Sequence, residues 1–459
     1  MDGFSSFFAI MMLCAGVFLT VRINFFQFTH FGCAIKTALG LGQKRSARSK
    51  QKFDASGVTP FQALSSALGG SIGTANIAGV ASAIAIGGAG AVFYMWLAAL
   101  VGMGVKFCEI VLALRYREKR GGQWCGGAML YIEKGFRKSN TGSRFLQSVS
   151  KPLAAGFALF GLLASSVGTP LVQSNTIAMS VNDAVLLFLP KAEQKTVCII
   201  AGAVTAALVG IVILGGIQRI GKASEIIVPF MAIGYIAICI IVLSRFGGRI
   251  LPAFRDIFSG ALGIKQAVGG AAGFGAARAL RIGMARGVYS NEAGVGSAPM
   301  AHACANTNDP VKQGMYGIFE VFADTIVMCT MTALVVLASG IPLQAGGEIS
   351  GTSIALRAFS TVLPERTTGI FLAVSMLLFA YTSLLGWAVY GMQCAKYLFG
   401  KRAQLPFCIL YTVLTFAGAL MKVDFVWTAG ETLNYLMAAP NMLALLVLNR
   451  EVRRETAFA

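Results

Sequence analysis

Charge is scarce in this 459-residue chain: Asp, Glu, Lys and Arg make up 12% of it, 19 residues are acidic, and there are two histidines. Ordinary soluble domains carry about 25% charged residues, so a water-facing surface of normal composition is excluded. The ten cysteines include no CxxC pair and form no metal-type cluster with His30 or His302. They read as small apolar helix residues, and no disulfide or metal framework is implied. No Walker loop occurs, which removes support for ATP-driven pumping. Nor do the histidines have the nucleophile or metal companions that an intramembrane hydrolase needs. The alternating pattern of a closed barrel is missing too, as are the repeated filter segments of a channel.

What the chain has in abundance is apolar surface: 56% of residues are hydrophobic and mean hydropathy is +0.71. Hydrophobic runs of roughly 20 residues recur along its length, each able to cross a hydrocarbon core of ~30 Å as a helix. The pattern predicts eleven spans, at 4–26, 61–87, 90–115, 152–181, 196–215, 223–244, 263–304, 314–339, 366–396, 405–421 and 424–449. Phe4 to Leu19 has no basic region before it and no small-residue cleavage site after it, so the first run is expected to be retained as a span.

The net charge of +19 would suggest nucleic acid in a soluble protein, but here the cations sit between hydrophobic runs. Placing the N-terminus outside puts most of the 38 Lys and Arg on the cytoplasmic side, including the Lys44–Lys50 cluster, the 115–151 loop and the tail from Arg450 to Arg454. No nucleic-acid partner is expected; the bilayer is the partner, and contact with anionic lipid explains the clusters.

Two spans look interrupted. The second carries Gly69, Gly70, Ser71, Ile72, Gly73, Thr74, Ala75 and Asn76 in a row, and the seventh is too long for one straight helix and is rich in glycine from Gly269 to Gly296. With the first span set aside, these two open two sets of five, 61–244 and 263–449. Inverted-repeat transporters are built this way, with broken helices presenting half-helix ends at the bilayer midplane. Unwinding near Gly73 would offer N–H groups to a carboxylate and carbonyls to a cation. Close helix packing through small residues explains glycine equally well, but Ser71, Thr74 and Asn76 beside the glycines point to a site.

The motifs then become specific. Residues 87–102 (GGAGAVFYMWLAALVG), Gly73 to Val80, Gln173-Ser174-Asn175, Ala285 to Pro299, Asp324-Thr325, Leu385-Gly386-Trp387 and Leu436 to Asn441 together closely resemble the alanine or glycine:cation symporter family, also called sodium:alanine symporters. Tyr94 stands where that signature usually has Trp, and Ala75 where the family usually has glycine. The resemblance implies an all-α polytopic membrane protein of eleven helices, the last ten in the leucine-transporter (LeuT-type) 5+5 inverted repeat, importing alanine, glycine or a similar small neutral amino acid with Na⁺. It implies a plasma-membrane protein, or an inner-membrane one in a source with two membranes, and no cofactor beyond the coupling ion.

Carried over by motif, the substrate carboxylate meets the backbone N–H groups of Thr74 and Ala75 and the Thr74 hydroxyl, and Ser71 lies near the substrate amine. Gln173 and Asn175 are further substrate candidates, with interhelical hydrogen bonding as their alternative. Gly69 and Ile72 would give Na⁺ their carbonyls and Thr382 and Ser383 their hydroxyls, since a hard cation prefers oxygen; without the resemblance, back-bonding within the helix explains that pair. Trp387 would lid the cavity, with a packing aromatic as the equal alternative, and an unwound Gly273-Phe274-Gly275 would wall it. Arg278, Arg281, Arg286 and Glu292 are candidates for inner-gate ion pairs or for snorkelling. Lys106 and Glu109, at i and i+3, are expected to neutralise each other. Asp324 is an intramembrane acid open to proton coupling, a cation relay or a plain interhelical bond.

Overall fold

A computed structural model describes residues 2–41, 57–138, 144–263, 272–342, 351–421 and 424–457, without side chains at 2–9, 272–274, 424–429 and 431. The Lys44–Lys50 cluster, Gly269 and Gly270 lie outside the described residues. The described residues are helical almost throughout. In order run α1 (Asp2–Arg22), α2 (Phe26–Thr29), α3 (Phe31–Ala38), α4 (Pro60–Ser71), α5 (Ala78–Gly87), α6 (Gly90–Tyr116), α7 (Ala128–Lys138), α8 (Arg144–Leu163), α9 (Thr169–Leu186), α10 (Gln194–Ile213), α11 (Gly216–Ser244), α12 (Gly247–Ala261), α13 (Ala272–Asn291), α14 (Ala298–His302), α15 (Pro310–Val321), α16 (Thr330–Ser339), α17 (Gly351–Ser360), α18 (Glu365–Phe399), α19 (Gln404–Gly418) and α20 (Asp424–Thr456). Among the described residues one hairpin, β1 (Glu118–Arg120) against β2 (Gln123–Cys125), follows α6.

Among the described residues, seven helical stretches are long and apolar enough to cross a membrane: 90–116, 144–186, 194–213, 216–244, 310–339, 365–399 and 432–456. α8 and α9 join into one of these through a π-helical segment, Ala164–Gly168, and α15 and α16 into another through Phe322–Cys329. The remaining expected spans are shorter helices or interrupted ones. Large side chains such as Ile226, Phe230 and Ile233 on α11 are well exposed, as a lipid-facing surface requires and a water-facing one does not.

The first interruption falls where expected. α4 starts at a capping box, with Thr59 Oγ1 accepting from the Gln62 amide and the Gln62 side chain accepting from the Thr59 amide. It ends at Ser71, Ile72 and Gly73 turn extended, and a 3₁₀ turn, Thr74–Asn76, leads into α5. The Gly73 N–H, which has lost its helical acceptor, donates to Asn76 Oδ1 at 2.8 Å.

The second interruption corrects the sequence reading. Gly273 to Gly275 are not unwound; they lie in the first turn of α13, which runs on to Asn291. The break is the stretch from Glu292 to Ser297, where Glu292, Gly294 and Gly296 take left-handed backbone (φ 54°, 84° and 85°). Glycine is needed at 294 and 296 because that conformation is cheap only without a Cβ; glycine abundance alone does not mark a break. α14 packs on α4, and α13 on α5. The two breaks therefore lie side by side. Arg278, Arg281 and Arg286 lie on α13, ahead of the second break.

Candidate functional site

Between the two breaks lies a small cavity of about 40 Å³, lined from α4 and its 3₁₀ turn by Gly70, Ser71, Gly73, Thr74 and Ala75. The π segment adds Ala164 and Gly168, α9 adds Gln173, the second break adds Glu292, and α18 adds Ser383 and Trp387. Six positions singled out from sequence as substrate or cation contacts thus converge: Ser71, Thr74, Ala75, Gln173, Ser383 and Trp387. Across the cavity the Thr74 hydroxyl donates to Gln173 Oε1 at 3.3 Å. A Cβ on Gly73 would sit 2.7 Å from Ser383 Oγ and 3.4 Å from Gln173 Nε2. Glycine at 73 therefore lets three elements meet.

Gly69 and Thr382 are brought together one turn away: a Cβ on Gly69 would lie 3.2 Å from Thr382 Cβ. Both Thr382 and Ser383 donate to the Phe379 carbonyl at 3.0 Å, the back-bonding that the sequence allowed. Ile72 is buried at the end of α4. Asn175, by contrast, does not line the cavity. Its amide donates to the carbonyls of Gly418 and Met421 at 3.3 and 2.6 Å, closing the end of α19, because two residues along a helix turn a side chain to a different face. The side chain of Phe274 lies outside the described residues.

Glu292 belongs to the cavity, a role that sequence reasoning missed by grouping it with the arginines. It is buried, and its two oxygens accept from Trp387 Nε1 at 2.8 Å and Ser297 Oγ at 2.6 Å. Trp387 is thereby held by its indole N–H rather than left as a free lid. Tyr289 and Asn434 also reach the cavity wall unannounced; no motif marked Asn434, whereas Tyr289 sits inside the Ala285–Pro299 match.

Deeper still, Asp324 ties the two breaks together. It accepts from Asn76 Nδ2 at 2.8 Å, Ser290 Oγ at 2.8 Å and Thr325 Oγ1 at 2.7 Å, so the interhelical bond among its readings is present. Lys106 meets Glu320 of α15 at 3.1 Å rather than Glu109. Glu109 instead accepts from Asn441 Nδ2 at 2.6 Å. Adjacent turns of one helix made that pair plausible, but tertiary packing supplied a closer acid from 214 residues away.

Tyr94 donates to the Ala261 carbonyl at 3.1 Å, tying α6 to α12. No cluster of three or more His, Cys, Asp or Glu with metal-holding geometry occurs among the described residues.

A sequence model described as the sodium:alanine symporter family matches residues 3–457. Among curated relatives, the sodium/alanine symporter AgcS of Methanococcus maripaludis is 38% identical over 97% of this chain and 92% of its own. The probable sodium/glutamine symporter GlnT of Bacillus subtilis is 33% identical over 96% and 85%. Among solved structures, MhsT in complex with L-phenylalanine superposes with a TM-score of 0.51 at 13% identity, covering 84% of this chain and 88% of that one. That last likeness concerns the fold alone and agrees with a leucine-transporter type of arrangement.

Proposed function

The chain belongs to the sodium:alanine symporter family, a family of multi-pass membrane transporters and not of enzymes, and from that premise we propose that it imports a small neutral amino acid, alanine or glycine, with Na⁺ by alternating access. The observation that carries the reading is the 40 Å³ cavity at the junction of two interrupted helices. A water needs ~10–15 Å³ of such space, so this one suits roughly three waters or a substrate of a few heavy atoms. Glutamine, the substrate in GlnT's description, is poorly served by that volume.

In this reading the substrate carboxylate lies against the N–H groups of Thr74 and Ala75, with Gln173 and the Thr74 hydroxyl beside it. Half-helix N–H groups at a break have lost their own acceptors and favour an anion. The ammonium faces Ser71 and the Glu292 carboxylate. Na⁺ takes carbonyl oxygen from Gly69 and Ile72 and hydroxyl oxygen from Thr382 and Ser383. Support for this is the close approach of Gly69 to Thr382 and the preference of a hard cation for oxygen. Because α4 contributes to both sites, occupancy of one orders the other.

The topology that goes with this reading has eleven spans, the first (4–26) outside the repeat and the next ten arranged as 61–244 and 263–449 in inverted sense. The N-terminus faces outside and the C-terminus the cytoplasm of the plasma or inner membrane. Binding of radiolabelled alanine and glycine to the purified protein, with and without Na⁺, tests the proposal. Na⁺ is expected to raise amino-acid affinity, and the amino acid to raise Na⁺ affinity by the same factor. Equal affinity in Na⁺ and in choline would refute sodium coupling.

A further inference from the structure

α20 carries a glycine and an amide one helical turn apart, Gly430 and Asn434, and both line the cavity between the two breaks. Residues four apart share a helix face. The glycine lets that face approach: a Cβ on Gly168, in the π segment, would lie 3.2 Å from Gly430 Cα. About two turns further along, a Cβ on Gly161 of α8 would lie 3.3 Å from Met437 Cε. α20 therefore runs close along α8 and the π segment, as small residues allow between membrane helices, and Asn434 falls between these two contacts. The residues that the π segment gives to the cavity, Ala164 and Gly168, carry no side-chain donor.

Asn434 Oδ1 is buried and has no hydrogen-bond partner among the described residues. Buried polar atoms are normally paired, and a bare one destabilises its surroundings until a donor arrives. Donors of the cavity wall are spent elsewhere. Ser71 Oγ donates to the Ala67 and Leu68 carbonyls, the Thr74 hydroxyl to Gln173, the Ser383 hydroxyl to Phe379 and Trp387 Nε1 to Glu292. A ligand is left to supply the missing donor. The ammonium of a primary amino acid brings three N–H groups, as that of lysine does. Ser71 and Glu292 serve two of them in the transport reading, so one N–H lacks an acceptor in the cavity where one acceptor lacks a donor.

We propose that Asn434 Oδ1 is the third acceptor for the substrate's ammonium and makes the site select primary α-amino acids over N-methylated ones. The inference rests on the transport reading above and adds to it a specificity-determining residue and a substrate class. N-methylation replaces an N–H by a methyl, which cannot pair with the amide oxygen. A site built to hydrogen-bond an N–H rejects the analogue that lacks it, because its own polar group then stays bare. Alanine and N-methylglycine isolate this effect, since they are isomers with the same number of heavy atoms and cavity volume does not favour either.

The test is isothermal titration calorimetry of alanine and N-methylglycine into the purified full chain in saturating Na⁺. Wild type should bind alanine about ten- to a hundredfold more tightly than N-methylglycine, the range that a hydrogen bond to a charged group is worth. Asn434→Ala should weaken alanine by a similar factor and leave N-methylglycine within about threefold, which erases most of the preference. Asn434→Leu, which also lacks an acceptor, makes the same test should Asn434→Ala not fold. Asn434→Asp retains an acceptor at that place and should keep the preference. Were the amide facing the substrate carboxylate instead, the charge added by Asn434→Asp would abolish alanine binding, and that result overturns the assignment.

Equal affinities in wild type, or a preference that survives loss of the acceptor, also overturn it. Alanine binding with such an unaltered preference sinks this inference alone and leaves the transport reading standing. If wild type binds neither alanine nor glycine in Na⁺, the transport reading falls and this inference falls with it.

Discussion

Gly73→Ala tests the cavity with a single methyl. The backbone at 73 is extended (φ −135°, ψ −162°), so alanine adopts it without strain and the effect is purely one of space. The added Cβ would lie 2.7 Å from Ser383 Oγ and 3.4 Å from Gln173 Nε2, and ordinary contact begins near 3.4 Å. Ser383 must therefore retreat by about 0.7 Å or rotate, leaving its bond to Phe379 and the place assigned to it beside Na⁺. Overpacking of this kind costs ~1–3 kcal/mol, which as lost binding is a factor of about 5 to 140. The assay is Na⁺-dependent alanine uptake by proteoliposomes with equal reconstituted protein, read as the apparent affinity for both solutes. Gly156→Ala, whose Cβ meets nothing within 4 Å, is the control and should transport normally. If Gly73→Ala kept both affinities within about twofold of wild type, the cavity would not be the binding site.

Four further outcomes follow from the same geometry. Ala75→Gly should widen tolerance for serine and glutamine in competition uptake by a moderate factor, since one methylene in a snug pocket is worth roughly 1–3 kcal/mol; identical inhibition profiles would place that methyl in helix packing. Replacing Thr382 and Ser383 together with Ala should weaken Na⁺ activation before it affects amino-acid affinity, and unchanged Na⁺ activation removes both hydroxyls from the cation site. Asn175→Ala strands two carbonyls at the end of α19 and should lower stability by ~1–3 kcal/mol in thermal melts while leaving alanine affinity unaltered. A reporter fused after Arg454 should be cytoplasmic, and external reporter activity contradicts the eleven-span topology.

The sequence carried the fold class because hydrophobic length is a local quantity, visible in runs such as Gly90–Tyr116 without any knowledge of partners. It carried the first break for a similar reason: Gly73, Thr74 and Asn76 together are poor helix and good turn chemistry. The second break was misplaced because glycine is spread from Gly269 to Gly296, and among the described residues of that stretch only Gly294 and Gly296, with Glu292, take left-handed backbone. Conformation there is set by tertiary packing, which composition does not record. The same limit applies to Lys106, whose nearest acid in sequence is not its partner in space, and to Asn175, whose neighbour Gln173 faces the cavity when it does not. The π segments at Ala164–Gly168 and Phe322–Cys329 shift the register of two long helices, and no local pattern announces such a shift. Glu292 was visible as an intramembrane acid, but the cavity it lines exists only once the two breaks are brought together.

The most direct test of the central claim is accumulation of labelled alanine or glycine by proteoliposomes holding the purified wild-type protein under an imposed inward Na⁺ gradient. The account predicts concentrative, saturable uptake that collapses when Na⁺ is equal on both sides and is abolished by dissipating the gradient. Uptake that only equilibrates, or that is the same with and without Na⁺, would contradict it.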